Sequence, residues 1–375
     1  MKNEPLLQIA SHLCHIPGGT FMVKQHPADT KRSSLFMDSF QTRTSGKGRM
    51  DIYQVFPGIH LSLNLFLADQ VSFRHNADQH ILEITHCHLG RIGWNFHSGT
   101  SVYLGSGDLS LQSTDCCADS VMAFPLGYCE GISIFIHLKN LSDHLPPVLE
   151  DAGLDINRID RLFCRGDTST AFPASPDIDG IFRPLYGLPE HLRLPYFRLK
   201  VQELLLFLSR LSPEDSGLAQ YQSRQTALMQ EIHHQLTEHL DRRYTIEELS
   251  RQYLINTSSL KETFKGVYGM PIATYMKDYR IHKAMELLQH TDESIAEIAA
   301  KIGYETQGKF TKTFKDFTNL TPSTYRKKYR EGTLPYDRKK DRLAADVCPF
   351  SVCLLPFGLI LLPIGQVKQL CFGLY

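Results

Sequence analysis

Apolar positions change their period twice along the chain. From Ile59 to Leu138, short runs of apolar and β-branched residues alternate with turn signals, the pattern of consecutive strands. His80 to Cys87 alternates in part. Ser101 to Leu104 leads into Gly105-Ser-Gly-Asp108, which reads as a hairpin turn, and Leu109 to Gln112 alternates again. Gly131 to Leu138 is a further run. Strands at this spacing predict a sandwich or small barrel, such as a jelly roll, able to hold a small ligand between its sheets.

From about Leu141 the period becomes helical. Between Leu192 and Leu211, Phe197, Val201, Leu204, Leu205 and Leu208 fall at helical spacing, with Leu206 and Phe207 adding apolar surface. A helix this apolar either packs on the sheet or pairs with its copy in a second subunit. Ser212-Pro-Glu-Asp-Ser-Gly217 then breaks the chain and reads as a linker.

The next stretch contains a repeat. Leu260, Phe264, Lys265, Gly269, Tyr275 and Arg280 recur fifty positions later as Phe310, Phe314, Lys315, Asn319, Tyr325 and Arg330. Upstream, Thr245 to Ser250 recurs as Ser294 to Ala299 at an offset of forty-nine, so the two turns differ by one residue. Thr245 with Glu248, and Ser294 with Glu297, predict capping boxes. Gly303 suits a tight turn needing a left-handed residue. Asn256 and Thr306 are placed to cap the helices that follow, and Gly269 and Asn319 to end them. A short helix, a tight turn and a second helix form a helix-turn-helix, whose second helix enters the DNA major groove. Ile272 to Gln289 is a continuous helical pattern without Pro or Gly, roughly 25 Å long at about 1.5 Å per residue. That length suits two recognition helices entering successive grooves about 34 Å apart.

With the aromatic residues turned inward, Ser258, Lys261, Glu262 and Lys265 face outward in the first unit. Gln307, Gly308, Thr311, Lys312 and Lys315 do so in the second. Gln can read adenine, and Lys can read guanine or hold phosphate. Arg326, in a basic cluster with Lys327, Lys328 and Arg330, suits phosphate contact.

Bulk properties narrow these readings without deciding them. The 375 residues carry a formal net charge of zero, so any nucleic-acid contact must rest on local charge. Nine scattered cysteines are no disulfide framework and fit the reducing cytoplasm. His86, Cys87 and His88 raise a second reading, a cupin-like metal enzyme with an accessory helical domain. Strand geometry puts His86 and His88 on one face and Cys87 on the other, without a third ligand at a motif spacing. No nucleophile elbow, phosphate loop or paired-cysteine zinc pattern occurs, so neither an enzyme nor a cofactor is expected.

The residues of the repeat carry a family resemblance. Ser294-Ile-Ala-Glu-Ile-Ala299, Gly303-Tyr304, Phe310 with Phe314-Lys315, Thr321-Pro322 and Tyr325-Arg326 resemble the signature of the AraC/XylS transcription regulators. Tyr275, Arg280, Ala284 and Leu287 resemble that family's connecting helix. The resemblance covers about residues 225–330. It implies binding to double-stranded promoter DNA, with the outward residues above as the contacts. It further implies control by a small-molecule effector, a homodimer, and RNA polymerase as a possible partner. Two departures stand out. Gly308 replaces a side chain usual at the start of the second recognition helix, and Asn319 replaces the usual glycine. The segments His86 to Arg91, Gly107-Asp108 and Phe124 to Tyr128 are similar to the sensor half of one subset of the family.

The expected fold is therefore α+β. A cupin or jelly-roll-like, β-rich sensor domain (1–185) leads through a linker and dimerisation helix (186–224) to an all-α DNA-binding domain of two helix-turn-helix units (225–330). A tail (331–375) follows. Within it, residues 347–364 are strongly apolar and approach membrane-spanning length, yet Pro349, Pro356 and Pro363 disfavour one straight helix.

Overall fold

The computed structural model describes residues 4–26, 46–72, 81–117, 121–164, 169–212, 214 and 216–332; the apolar stretch 347–364 lies outside them. The amino-terminal strands are β1 (Phe21–His26), β2 (Lys47–Phe56), β3 (Ile59–Leu67), β4 (Gln70–Ser72), β5 (Ile81–Gly90) and β6 (Ile92–Asn95). They continue as β7 (Thr100–Leu104), β8 (Leu109–Ser113), β9 (Val121–Ala123), β10 (Tyr128–His137), β11 (Thr170–Phe172) and β12 (Tyr221–Gln222). Helix α1 (Glu4–His12) precedes them. Helices α2 (Leu138–Asp143), α3 (Pro147–Asp151), α4 (Ile156–Phe163), α5 (Pro176–Phe182) and α6 (Glu190–Leu208) follow β10.

The strands form two sheets, in the orders β1-β2-β3-β10-β5-β8-β11 and β12-β7-β6-β9-β4. Only β1 and β2 run parallel among the described pairs. Period-two alternation gives the larger sheet two different faces. Ile132, Ile134 and Ile136 of β10, with Leu82 and Ile84 of β5, face helices α2 to α6. Cys129 and Cys87 of the same strands face the smaller sheet and join Phe66, Trp94 and Val102 there. The sandwich is thus covered by helices on one outer face.

Two structural details differ from what local sequence suggests. The Gly105–Asp108 turn is not a hairpin. β7 and β8 lie in different sheets, so the turn is a corner of the sandwich. Gly107 takes φ +88°, and the Asp108 carboxylate accepts hydrogen bonds from the Gly105 and Ala174 N–H groups, fixing the corner. The apolar helix α6 buries Phe197, Val201, Leu204, Leu205 and Leu208 against the sheet. Its opposite side leaves Leu192, Tyr196 and Leu199 exposed.

The remaining helices are α7 (Ser223–Glu238), α8 (Ile246–Gln252), α9 (Thr257–Tyr268), α10 (Ile272–His290), α11 (Ile295–Lys301), α12 (Gln307–Thr318) and α13 (Pro322–Glu331). Both capping boxes form, at Thr245 with Glu248 and at Ser294 with Glu297. Asn256 and Thr306 cap α9 and α12, and Gly269 and Asn319 end them in the left-handed conformation. The helices build two separate cores. One gathers Met229, Ile232, Leu236, Leu249, Leu260, Phe264, Ile272 and Met276. The other gathers Ile281, Ala284, Leu288, Ile298, Phe310, Phe314 and Tyr325. Helix α10 serves both, through different residues.

Candidate nucleic-acid interface

Each unit is a short helix, a turn and a recognition helix: α8 and α9 in the first, α11 and α12 in the second. Both recognition helices have the same twelve-residue length. Phe264 and Phe310 are fully buried, which fixes the rotation of each helix about its axis. Ser258, Lys261, Glu262 and Lys265 are exposed on α9, and Gln307, Gly308, Lys312 and Lys315 on α12, with Thr311 half-buried. Among the described residues, Lys261, Lys265, Lys312 and Lys315 enter no ion pair, whereas Lys309 pairs with Glu305 and Lys301 with Glu293.

Two of the expected contact residues are not simply presented outward. Glu262 lies one turn before Gly266, where a Cβ atom would come within 2.1 Å of the Tyr221 hydroxyl; burial raises the Tyr221 pKa, Arg91 opposes the rise, and the Glu262 carboxylate adds to it least. It therefore borders β12, and through it the smaller sheet, as well as solvent. The Arg326 guanidinium donates to the Glu293 carbonyl and is half-buried, so it braces α13 against the start of the second unit.

The turns of the two units also differ. In the second, Gly303 takes φ +75°, and a Cβ there would meet the Leu240 carbonyl oxygen at 2.3 Å. The first unit has Leu254 at the corresponding position, with φ +50° and 93% of its surface exposed. A branched side chain in this conformation costs roughly 1–2 kcal/mol.

The first unit is docked on the smaller sheet. β12 pairs with β7, matching Tyr221 with Ser101 and Gln222 with Thr100. The Ser101 hydroxyl lies 2.9 Å from that of Ser223 and 3.2 Å from that of Thr226. Tyr103 and Ala123 of the sandwich enter the core of the first unit. The strongest tie is Arg91, between β5 and β6. Its guanidinium donates to the Val267 carbonyl at 2.9 Å and to the Gly266 carbonyl, in the last turn of α9. A cation at a helix C-terminus satisfies free carbonyls and the helix dipole together. Sequence reading had no local signal for this contact, because its partners are 175 and 176 residues away.

The histidine pair occupies the helix-covered face of β5. His86 Nδ1 lies 2.9 Å from the Tyr186 hydroxyl, and its ring stacks on Phe182. His88 stacks on Tyr186. Burial, then the neighbouring His88, pushes the His86 pKa down to about 3. Cys87 points to the other face, with its sulfur 4.0 Å from that of Cys129. Among the described residues, no group of three or more His, Cys, Asp or Glu side chains could hold a metal ion.

The fold is thus a β-rich domain joined to two duplicated helix-turn-helix units on one connecting helix. Residues 249–328 match the family described as "Helix-turn-helix domain". The chain is 30% identical over 161 residues to the HTH-type transcriptional regulator ExsA of Pseudomonas aeruginosa, covering 42% of this chain and 56% of that protein. It is 31% identical over 94 residues to the HTH-type transcriptional activator RhaR of Mannheimia succiniciproducens, covering 25% of this chain and 34% of that protein. Among solved structures, the C-terminal domain of the response regulator YesN from Fusobacterium nucleatum is 31% identical; the match covers 28% of this chain and 99% of that domain, with a TM-score of 0.26. The chain thus spans only part of the curated regulators it matches. These findings agree with the resemblance of residues 225–330 to the AraC/XylS transcription regulators.

Proposed function

We propose that this chain is a sequence-specific DNA-binding transcription regulator controlled by a small-molecule effector. The observation that carries the reading is the pair of recognition helices α9 and α12 on one connecting helix, each presenting exposed lysines. In this reading the two helices enter successive major grooves of promoter DNA. Ser258, Lys261, Glu262 and Lys265 make the first set of contacts. Gln307, Gly308, Thr311, Lys312 and Lys315 make the second, and Arg326 supports the adjoining helix near the backbone. The protein acts in the cytoplasm as a homodimer, the exposed Leu192, Tyr196 and Leu199 of α6 supplying the subunit contact. It activates transcription, with RNA polymerase as a partner at the promoter. The working division is a sensor over 1–185, a linker and dimerisation segment over 186–224, a DNA-binding domain over 225–330 and a tail over 331–375.

The effector reading draws on the interior of the sandwich. On the face of the larger sheet opposite the helices lies a buried polar row: Ser62, Asn64, Thr85, Ser133, Glu83 and Gln112. Asn64 donates to Ser133 at 3.0 Å, and Gln112 donates to Glu83 at 3.1 Å. The Ser110 hydroxyl and the Gln112 side-chain carbonyl are buried without a partner among the described residues. Such orphans cost about 1–3 kcal/mol each, a penalty that a polar effector relieves. Strand β5 carries Glu83 and Thr85 of this row and ends beside Arg91. One strand therefore joins the row to the guanidinium that holds α9.

The test is footprinting on fragments upstream of neighbouring genes, followed by affinity measurement against salt. Affinity for the protected site falls steeply as salt rises. Lys312→Ala and Gln307→Ala weaken binding to the protected site by about 1–3 kcal/mol each and spare random DNA. Equal losses on both DNAs would sink the assigned base contacts.

A further inference from the structure

The two helix-turn-helix units meet across a cavity of about 440 Å³ that the DNA contacts above do not use. Its volume falls within the range of about 300–1,000 Å³ typical of small-molecule sites. Ile246 of the first unit, Ile272 and Met276 of α10, and Tyr304 and Thr313 of the second unit line it. The charged part of the wall is cationic: Arg243, Lys277 and Arg280 line it, and among the described residues no Asp or Glu does.

Both arginines are held in place by backbone oxygens. Arg243 Nε donates to the Gly303 carbonyl at 2.8 Å, with its guanidinium 5.3 Å from the centre of the Tyr304 ring. Arg280 donates to the Arg242 carbonyl at 3.0 Å and, through Nε, to the Leu240 carbonyl at 3.4 Å. A guanidinium has five N–H donors, so each keeps some for a ligand. Burial lowers the Arg280 pKa first, and the charge of Arg243 lowers it further. Like charges gathered at a partly enclosed, apolar-floored site favour an anion there.

We infer that this seam is a binding site for an amphipathic organic anion, a carboxylate or sulfonate on a single-ring or short-chain apolar group. The head group sits among Arg243, Lys277 and Arg280, and the apolar part lies on Ile246, Ile272 and Met276. A DNA phosphodiester could use the same cations. It is strongly hydrated and would gain nothing from that floor, so the small anion fits better. Because the walls come from both units, an occupant bridges them.

The probe is 8-anilinonaphthalene-1-sulfonate, titrated by fluorescence into the full chain with decanoate as competitor. Two substitutions at exposed cavity residues test the site: Lys277→Glu reverses a head-group charge, and Ala273→Trp fills the space. The site predicts saturable binding, displaced by decanoate, that weakens roughly tenfold or more in both variants while circular dichroism is unchanged. Binding that both variants leave intact would overturn the proposal. So would a Lys277→Glu variant that binds the probe normally but loses affinity for a random-sequence duplex, which would make the seam a seat for DNA phosphate. The titration needs no DNA, so its outcome is independent of whether the chain regulates transcription.

Discussion

The two helix-turn-helix units share their caps, their inward aromatics and the length of their recognition helices, yet they sit in different mechanical surroundings. The core of the first unit takes in Tyr103 and Ala123 from the sandwich, and Arg91 holds the end of its recognition helix. Among the described residues, the core of the second contains none before Ile281. Duplication therefore produced two similar units, one harnessed to the sandwich and one attached through the first. A signal arising in the sandwich has a direct route to α9 and only an indirect route to α12.

The largest effect should come from the second unit's turn. Gly303→Ala adds a Cβ against the Leu240 carbonyl in a left-handed backbone, and should destabilise that unit by about 2 kcal/mol or more. Hydrogen exchange should show α11 and α12 losing protection before α9; equal loss in both would mean the units do not open separately. Next comes the harness. Arg91→Ala removes charge-assisted bonds to two carbonyls and should cost about 1.5–3 kcal/mol, read as lost protection confined to the end of α9 and the β12–β7 pairing. Loss of protection in α12 of the same size would erase the distinction drawn between the units.

A smaller effect depends on pH. His233 stacks on Tyr268, bonds the Tyr275 hydroxyl at 2.8 Å and belongs with the first unit. Burial, then His234, lowers its pKa to about 4. A depressed pKa means the folded state holds fewer protons than the unfolded chain between the two values. Its stabilising effect is therefore complete above about pH 6.5 and lost as pH falls toward 4, on the order of 1 kcal/mol at pH 5.5. Acid melts of wild type and His233→Phe should diverge in this window, and parallel melts would contradict the assignment. The smallest effect belongs to Leu254→Gly. Relief of the left-handed strain is offset by glycine's added freedom when unfolded, so the net change should lie within about 1 kcal/mol of zero. A loss comparable with that of Gly303→Ala would mean that the exposed leucine makes a contact outside this chain.

What the sequence disclosed follows from range. The capping boxes, N-caps and left-handed helix ends are local devices, each written within a few residues, and Thr245 with Glu248 or Asn319 could be read directly. The alternation of β10 likewise announced a strand. The assignment of β7 and β8 to different sheets could not be read, because a Gly-Ser-Gly-Asp turn looks alike in a hairpin and at a sandwich corner. Leu254 was equally hidden, since its φ is imposed by the packing of α8 against α9 and not by residue type. Of the outward residues, spacing found the exposed lysines. It could not foresee that Glu262 borders Tyr221 or that Arg326 leans on the Glu293 carbonyl, because both neighbours come from other segments.

Helix α10 gives Ile272 and Met276 to one core and Ile281, Ala284 and Leu288 to the other, so the changeover falls between Met276 and Ile281. Each residue of an α-helix turns the chain by about 100° and advances it about 1.5 Å. One residue inserted in that interval would swing the second unit about a quarter-turn around the helix axis while hardly changing its distance from the first. The helix is therefore a dial more than a spacer. Single insertions or deletions within it should dephase the two helix-turn-helix units, whereas in the loops at either end the chain has room to absorb them.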